Sequence, residues 1–319
     1  MMSQHYNSID EIQLSVIVLF YHGESWLQPC MQSLQKQSLA RSAYEIIMVD
    51  NGGSTPSVDN YAGQPNIKVL HFSKNYGFAG GNNRALAHAV GQIILLMNQD
   101  VIVHFNCLEE LITSFKKNKQ AGVISANMFM VSTKDRLDRH APPPEKVGHY
   151  RISPFGYAAY VVRKAESEMI PVEFISGNGM CFQKKLLADV GNYLFDARLK
   201  SYAEDLDLCI RLKGTKWSLY VRPQAVIYHY RDEAFSGHPL VLFKKFIHIS
   251  TNRLLVYKKN LLFGRFLIKL PLILLGIPLK VARPDGSSKF HLLNFCAALL
   301  LIPAVLANFS LKMFGISKS

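Results

Sequence analysis

Carboxylates follow two apolar runs that have the composition of buried strands. Asp50 comes directly after residues 45–49, and Asp100 comes shortly after residues 93–97. Runs of this kind are typical of strands covered on both faces. Ligands of open α/β sheets bind at the carboxyl ends of the strands, where carboxylate oxygens can hold a hard divalent cation. For Asp50 taken alone, a turn-stabilising role is the plainer alternative.

Three further carboxylates, Glu204, Asp205 and Asp207, open a stretch with helical spacing of apolar residues. Acidic side chains stabilise the first turn of a helix, which is one interpretation. An aspartate at such a position can also act as a general base. His229 follows the strand-like run 225–228 and is either a structural histidine or, if it lies near Asp100, a metal ligand.

Two segments rich in small residues can bring the backbone close to a ligand. Residues 75–83 hold Gly77, Gly80 and Gly81 and run into a predicted helix at whose start Arg84 would face a phosphate. The alternative for this segment is a tight connection between a strand and a helix. Residues 174–182 place Gly177 and Asn178 between two strand-like runs, which suits a backbone that lines an active site.

The order of the apolar runs predicts the fold class. Strands are expected at residues 15–20, 45–49, 67–72, 93–97 and 123–126, with helices at 25–34, 85–90 and 107–119. Strands that alternate with helices indicate βαβ units and a mostly parallel sheet. Residues 127–171 have no clear period and are expected to form an irregular excursion.

Composition limits the classes of protein that the chain can be. It has 319 residues, 49% of them hydrophobic, and a net charge of +13, which excludes a disordered chain. Residues 1–239 hold 24 Lys+Arg against 22 Asp+Glu, whereas residues 240–319 hold 12 against one. Five scattered cysteines without a CxxC pair predict reduced thiols, and the polar first ten residues predict no signal peptide.

Basic residues alternate with long apolar runs in the C-terminal quarter. This pattern favours an anionic membrane surface over nucleic acid, because no nucleic-acid-binding motif accompanies the charge. Residues 239–260 are predicted to form one amphipathic helix. Residues 292–311 carry no charge and are long enough to cross a bilayer. In-plane or re-entrant insertion is the favoured interpretation, and a membrane span or a soluble helical or oligomer interface are the alternatives.

Several blocks between Leu14 and Tyr230 together resemble the inverting glycosyltransferases of family 2, which have the GT-A fold. The blocks are SVIVLFY, EIIMVDNGGST, NYGFAGGNNRALAHAVGQIILLMNQD, FISGNGMCFQKKLLADVG, YAEDLDLCIRL and AVIYHY. Within the family the chain is most similar to rhamnosyltransferase-like enzymes of bacterial surface polysaccharide synthesis. The resemblance implies a Rossmann-like, mostly parallel sheet with flanking helices.

The resemblance also assigns roles to individual residues. It implies that Asp205 is the catalytic base, that Asp100 and His229 hold Mg²⁺ or Mn²⁺, and that Asp50 contacts the nucleotide base. The metal motif reads Asn98-Gln99-Asp100 here, without the first acid of the family's DxD. The remaining residues of the expected nucleotide-sugar site are Tyr21, Asn51, Gly80, Asn83, Arg84 and Asn98. The residues expected to form or support the acceptor site are Gly177, Asn178, Glu204 and Asp207.

The expected activity is transfer of a rhamnose-like sugar or another hexose from a dTDP- or UDP-sugar. The acceptor would be a lipid-linked oligosaccharide or polysaccharide at the cytoplasmic face of the bacterial inner membrane. The expected domains are residues 1–238, with a nucleotide half (14–126) and an acceptor half (127–238), and a helical membrane-associating region (239–319). The alternative is a membrane-bound scaffold or sugar-nucleotide-binding subunit that has kept the fold without catalysis. The sequence leaves the oligomeric state open.

Overall fold

Strands and helices alternate through the first part of the chain, as the apolar runs predict. The computed structural model describes residues 12–132, 138–140, 143–230, 239–261, 263–282, 299 and 301–313. The strands are β1 (Leu14–Phe20), β2 (Tyr44–Asn51), β3 (Ile67–Phe72), β4 (Ile93–Asn98), β5 (Val101–Val103), β6 (Ala121–Val131), β7 (Lys146–Ile152), β8 (Ala158–Lys164), β9 (Ile170–Pro171), β10 (Met180–Gln183) and β11 (Ser218–Tyr230). The helices are α1 (Glu24–Gln35), α2 (Gly77–Leu86), α3 (Cys107–Lys117), α4 (Glu204–Leu212), α5 (Pro239–Asn260), α6 (Phe263–Ala282) and α7 (Leu301–Met313).

Nine of these strands form one sheet, in the order β3-β2-β1-β4-β10-β6-β11-β5, with β9 paired to β11. The four strands β3, β2, β1 and β4 run parallel, and β10 runs antiparallel between β4 and β6. β11 lies parallel to β6 and antiparallel to β5. Helices cover the sheet, which confirms the predicted α/β class. The sheet is continuous across both predicted halves of residues 1–238.

The short link between β4 and β5 makes the sheet curl. Only Gln99 and Asp100 separate the two strands, and that length of chain spans at most ~10 Å. β10, β6 and β11 lie between β4 and β5 in the sheet, so a flat sheet would hold them ~19 Å apart. The β5 edge therefore turns back toward the end of β4, and the end of β11 comes with it.

Alternate side chains of the inner strands divide between two cores. In β1, Ile17 and Leu19 pack into the core on one face, while Val16 and Val18 pack into the core on the other. The strands are therefore apolar on both faces, which explains the uninterrupted runs in the sequence. The first of these cores also contains buried residues from the C-terminal helices, including Leu254, Phe266, Ile273, Leu301 and Val305.

Three elements differ from the sequence prediction. Helix α2 begins at Gly77 and ends at Leu86, earlier than the predicted helix at 85–90, so Arg84 lies in its last turn. The stretch predicted to be irregular contains the end of β6 and the antiparallel β7–β8 hairpin. Residues 133–137 and 141–142 of that stretch lie outside the described residues. β11 is one long strand with a register shift between Arg222 and Val226, where two short strands were predicted.

The C-terminal helices partly match their prediction. α5 has the predicted bounds, and α6 and α7 follow it. Residues 292–298 and 300 of the predicted segment 292–311 lie outside the described residues. Among the helices that the structure describes, none combines the length and hydrophobicity needed to span a bilayer. α6 nevertheless exposes several large apolar side chains, namely Leu267, Ile268, Leu272 and Leu275.

A buried ionic cluster fastens α5 to α4. The carboxylate of Asp207 is fully buried and accepts hydrogen bonds from Arg211 Nε (2.9 Å), Lys259 Nζ (2.9 Å) and Asn260 Nδ2 (2.9 Å). Arg211 also donates to the carbonyls of Val190 and Tyr193. The carboxylate is the counter-ion of Arg211 and one of two counter-ions of Lys259, whose Nζ also lies 3.1 Å from Asp196 Oδ2. Its removal would leave the buried Arg211 guanidinium without its carboxylate partner.

We expect Asp207→Asn to lower the free energy of unfolding by ~3 kcal/mol, because buried charges that lose their partner are costly. Denaturant unfolding of the purified protein measures this change. The matched control is Glu173→Gln, whose carboxylate is 82% exposed and 3.7 Å from Lys213, and which should change stability by less than ~1 kcal/mol. Equal effects of the two substitutions would contradict a stabilising role for the cluster.

Candidate active site

Asp50 ties together the loops that follow β1 and β2. Its Oδ1 accepts hydrogen bonds from the amides of Ser54 (3.0 Å) and Thr55 (3.2 Å). The hydroxyls of these two residues in turn accept from the amides of His22 (2.9 Å) and Gly23 (3.1 Å). These bonds fit the turn-stabilising interpretation of Asp50. They leave Oδ2 facing His71, whose Nδ1 is 3.6 Å away.

The residue after Asp50 fixes the start of α2. Asn51 is buried, its Oδ1 accepts from the amide of Tyr76 (3.1 Å), and its Nδ2 donates to the carbonyl of Gly77 (3.3 Å). Gly77 has a φ of +71°, and a Cβ there would overlap the backbone of Lys200. A glycine is therefore required where α2 approaches the segment before α4.

Three expected site residues lie on α2 itself. Gly80 is buried within the helix. Asn83 exchanges two hydrogen bonds with the backbone of Phe195, 2.7 Å to the carbonyl and 3.0 Å from the amide. The guanidinium carbon of Arg84 lies 3.6 Å from the ring centroid of Tyr76. Asn83 and Arg84 thus already have partners within the protein, and Arg84 is at the opposite end of α2 from the predicted position.

The motif after β4 is held by two amide side chains. Gln99 exchanges two hydrogen bonds with the backbone of Tyr21, 2.7 Å from the amide and 3.0 Å to the carbonyl. Asn178 accepts from the amide of Asn98 at 3.0 Å. Sequence reasoning assigned no role to Gln99. Gln99 lies between Asn98 and Asp100 of the metal motif, and this position could have indicated that it has a role at the site.

Asp100 and His229 face each other across the curled sheet. Asp100 Oδ1 lies 3.2 Å from His229 Nε2, and the amide of Tyr230 donates to the Asp100 carbonyl at 2.9 Å. The alignment of the two side chains does not make a hydrogen bond. Asp100 Oδ1 and His229 Nδ1 are both buried without a hydrogen-bond partner, and such atoms call for an explanation.

This pair has the chemistry of a divalent cation site. A carboxylate oxygen and an imidazole nitrogen suit Mn²⁺ or a similar metal. No group of three or more His, Cys, Asp or Glu side chains is placed to hold a metal within the described part of the chain. A cation bound by Asp100 and His229 would therefore need further ligands from a bound molecule or from water.

A cavity of about 800 Å³ opens beside this pair. It is bounded by the end of β4, the Gly177–Asn178 segment, the start of α4, the end of β11 and one face of α5. The polar residues that line it include Asn98, Asn178, Glu204, Asp205, His229 and Arg253. The structure thus brings the acidic helix start, the end of β4 at Asn98 and His229 to one cleft. Asp100 adjoins this cleft through His229 and does not itself line it.

Burial alters the acidity of both carboxylates at the start of α4. Burial raises the pKa of Asp205 to about 6, although the amides of Leu206 (2.8 Å) and Gly177 (3.2 Å) donate to its oxygens and limit the rise. Burial and the charge of Asp205 raise the pKa of Glu204 well above its ordinary value. Glu204 Oε2 is also buried without a hydrogen-bond partner. Asp205 is therefore the stronger acid of the pair and the one that ionises near neutral pH.

An unusual turn aims these carboxylates into the cavity. Lys200, Tyr202 and Ala203 have φ values of +58°, +70° and +70°, a region that costs energy for residues with a Cβ. Asn252 on α5 stabilises this turn, because its Nδ2 lies 2.7 Å from the carbonyl oxygen of Leu199 and 2.9 Å from that of Tyr202.

Asn252 is itself held in place from the C-terminal side. It is fully buried, and Lys312 Nζ on α7 donates to its Oδ1 at 2.8 Å. Sequence reasoning missed Asn252. The signal was present, since the polar run Ser250-Thr251-Asn252-Arg253 interrupts an otherwise amphipathic helix.

The sequence of this chain is similar to those of known glycosyltransferases. A family model described as "Glycosyl transferase family 2" matches residues 15–189. The N-acetylglucosaminyl-diphospho-decaprenol L-rhamnosyltransferase of Mycobacterium tuberculosis is 25% identical over 250 residues, which are 71% of this chain and 78% of that protein. Glycosyltransferase GlyG of Streptococcus pneumoniae is 30% identical over 126 residues, and the match covers 38% of this chain and 41% of that protein. The chain thus spans less than half the length of some of the curated relatives that it matches.

Solved structures share the fold at low identity. GalNAc-T7 with UDP, GalNAc and Mn²⁺ matches with a TM-score of 0.62 and 13% identity, covering 96% of this chain and 58% of that one. S. aureus TarS 1-349 in complex with UDP-GlcNAc matches with a TM-score of 0.56 and 15% identity, covering 96% and 93%. The family model spans more than half of the chain, and the strands that it covers form the sheet beneath the cavity. The chain therefore belongs to glycosyl transferase family 2 and has the GT-A fold.

Proposed function

We propose that the protein is an inverting glycosyltransferase of bacterial cell-surface polysaccharide synthesis, of the O-antigen or capsule type. It would move a rhamnose-like sugar or another hexose from a dTDP- or UDP-sugar to a lipid-linked oligosaccharide or polysaccharide. The observation that carries the proposal is the Asp205 carboxylate, which ionises near neutral pH in the same cavity as Asn98 and His229. The name of the M. tuberculosis relative, an N-acetylglucosaminyl-diphospho-decaprenol L-rhamnosyltransferase, supports the proposed acceptor class. The TarS structure in complex with UDP-GlcNAc supports a nucleotide-sugar donor.

In this proposal Asp205 is the general base. The acceptor hydroxyl attacks the anomeric carbon as the bond from that carbon to the diphosphate oxygen breaks, and the hydroxyl proton passes to Asp205. Attack from the face opposite the leaving group inverts the configuration, so no covalent intermediate on the enzyme is required. The Gly177 amide and the α4 backbone orient the carboxylate through the two hydrogen bonds described above.

Asp100 and His229 would hold Mg²⁺ or Mn²⁺ together with the donor diphosphate. The cation, when bound, neutralises negative charge on the leaving diphosphate. The motif has Asn98 in place of the first acid of the family's DxD, so the free protein would bind metal weakly and the donor would complete the site. Manganese in the GalNAc-T7 and Pyrobaculum calidifontis mannosyltransferase structures supports a divalent cation.

The donor would occupy the ends of β1, β2 and β4. Asp50 would offer Oδ2, the oxygen that faces His71, to the nucleotide, and Tyr21, which is 45% exposed, would contact the nucleotide from the end of β1. Asn51, Gly80, Asn83 and Arg84 shape α2, and through it the wall of the donor site. Glu204 and Asn178 line the acceptor side of the cavity, and Asp207 fixes α4 from behind.

We also propose that α6 docks the protein on the cytoplasmic face of the inner membrane. Leu267, Ile268, Leu272 and Leu275 are exposed on this helix beside Arg265 and Lys269. Apolar side chains flanked by cations bind anionic membrane surfaces through burial and charge together. A lipid-linked acceptor would be presented at the same surface.

Membrane docking can be tested by flotation with vesicles of phosphatidylethanolamine and phosphatidylglycerol. We expect Ile268→Glu to weaken vesicle binding ~10-fold or more, because an apolar anchor is replaced by a charge that anionic lipid repels. Val162→Glu is the matched control, since Val162 is 49% exposed on the β7–β8 hairpin. An equal loss in both variants, or no binding by the wild type, would exclude docking through α6.

Asp205→Asn tests the proposed chemistry. We expect the variant to bind the donor normally and to lose at least ~10² in turnover, because it cannot accept the acceptor proton. Calorimetry with UDP and dTDP measures binding, and product formation from a panel of nucleotide sugars measures transfer. Asp189→Asn, a partly exposed carboxylate outside the cavity, should turn over normally. Near-normal turnover of Asp205→Asn would refute the assignment, and a wild type that binds donor without transferring it would favour the scaffold alternative.

The pH dependence gives a second check on Asp205. The raised pKa means that the base form is lost as the pH falls through about 6. We therefore expect turnover at saturating donor to decline tenfold per pH unit below that value and to level off above it. Constant turnover from pH 8 down to pH 5 would contradict the role of Asp205.

Removal of the cation tests the Asp100–His229 pair. We expect chelation to abolish transfer and added Mn²⁺ to restore it. Asp100→Asn should raise the Mn²⁺ concentration needed for half-saturation at least ~10-fold, because the proposed site loses the carboxylate that the protein contributes to it. Electron paramagnetic resonance in the presence of UDP measures the binding of Mn²⁺ to the protein directly. The control is Glu166→Gln, because the side chain of Glu166 is exposed. Unchanged Mn²⁺ affinity in Asp100→Asn would place the metal elsewhere.

A further inference from the structure

A buried guanidinium at the α5 side of the cavity lacks a full set of partners. Arg253 is 3% exposed. Its Nε donates to the carbonyl of Gly156 at 2.8 Å, its Nη2 donates to the carbonyl of Phe155, and its Cζ lies 3.2 Å from the ring centroid of Tyr157. Nη1 is buried and has no hydrogen-bond partner. Nη1 is therefore the guanidinium nitrogen with capacity left to bind a ligand.

The charge of Arg253 is also uncompensated by any carboxylate in the described part of the chain. The side chains that act on it are those of Tyr157, through charge and a hydrogen bond, and of Tyr257, through charge. Burial lowers the pKa of Arg253, but a guanidinium keeps its proton at any physiological pH. A buried cation without a counter-ion is costly, and an anion that enters the cavity would remove that cost.

A second cation lies on the same face of α5. Lys245 precedes Arg253 by eight residues, with Ile249 between them, and this spacing puts all three on one side of the helix. All three line the cavity. Lys245 Nζ lies 5.3 Å from the ring centroid of Tyr202. The α5 face of the cavity thus carries two cations, whereas the carboxylates that line the cavity, Glu204 and Asp205, belong to α4.

We propose that Arg253 Nη1 binds a phosphate oxygen of the acceptor, and that the acceptor sugar is therefore linked through a phosphate or diphosphate ester. This inference rests on the proposed function. The donor diphosphate is assigned to the Asp100–His229 end of the cavity, whereas Arg253 belongs to the wall built by α5 and the turn at 153–157. Guanidinium N–H groups match phosphate oxygens in geometry and charge. A neutral polysaccharide acceptor would leave Nη1 unpaired.

The experiment is calorimetric titration of the full chain, with UDP and Mn²⁺ present at saturation so that the donor site is filled. The probes are farnesyl diphosphate, farnesyl monophosphate, farnesol and inorganic pyrophosphate. The proteins are the wild type, Arg253→Gln, Arg253→Lys and the control Arg163→Gln, whose side chain is exposed on β8. Farnesol reports the contribution of the chain alone, and pyrophosphate reports that of the free anion.

We expect the wild type and Arg163→Gln to bind farnesyl diphosphate at least ~10-fold more tightly than farnesol. Arg253→Gln should lose this preference and keep its farnesol and UDP affinities. Arg253→Lys keeps the charge and can still donate to the carbonyls of Phe155 and Gly156, so it should fold. Its preference for farnesyl diphosphate over farnesol should lie between those of the wild type and Arg253→Gln. Unchanged UDP affinity establishes that each variant is folded.

Three results would overturn the proposal. The first is equal affinity of the wild type for farnesyl diphosphate and farnesol. The second is undiminished diphosphate binding in both Arg253 variants. The third is pyrophosphate binding as tight as that of farnesyl diphosphate, which would assign the site to a free anion. Failure of the proposed function is separate, because it would appear as an absence of nucleotide binding or sugar transfer by the wild type.

Discussion

The two-residue link between β4 and β5 is the constraint on which the site depends. Since three strands lie between β4 and β5 in the sheet, the sheet can satisfy its ladder hydrogen bonds and the short link only by curling. That curl carries the end of β11 to the end of β4 and sets His229 beside Asp100. Gln99, within the link, also fixes the loop after β1 by its two bonds to Tyr21. One short connection therefore positions the loop after β1 and the Asp100–His229 pair, which belong to the proposed donor and metal sites.

The C-terminal helices complete the site from the other side. Asn252 holds the left-handed turn at 200–203, and this turn sets the direction in which Glu204 and Asp205 enter the cavity. Lys312 reaches Asn252 from α7, so the acidic helix start is coupled to the last helix of the described chain. Strained turns and buried carboxylates both cost stability. The ionic cluster around Asp207 and the shared apolar core offset that cost, so α5 stabilises the fold and also lines the cavity of the proposed active site.

The sequence predicted the inner strands well because each is a continuous apolar run covered on two faces. The family resemblance also assigned Asn98, Asp205 and His229 to one site, and all three line the cavity. The β7–β8 hairpin was not predicted, because its strands are half-exposed and carry lysine, arginine and histidine in place of a regular alternation. The contacts of Asn252 and Arg253 were not predictable either, because they join a C-terminal helix to loops about fifty and one hundred residues earlier.

A structure of the full chain with Mn²⁺ and an unhydrolysed nucleotide sugar tests the central claim most directly. The account predicts a cation between Asp100, His229 and the donor diphosphate. It also predicts that the face of the anomeric carbon opposite the diphosphate is turned toward Asp205, with room for a hydroxyl between them. A donor sugar that points away from Asp205, or a cation bound without Asp100, would contradict the account.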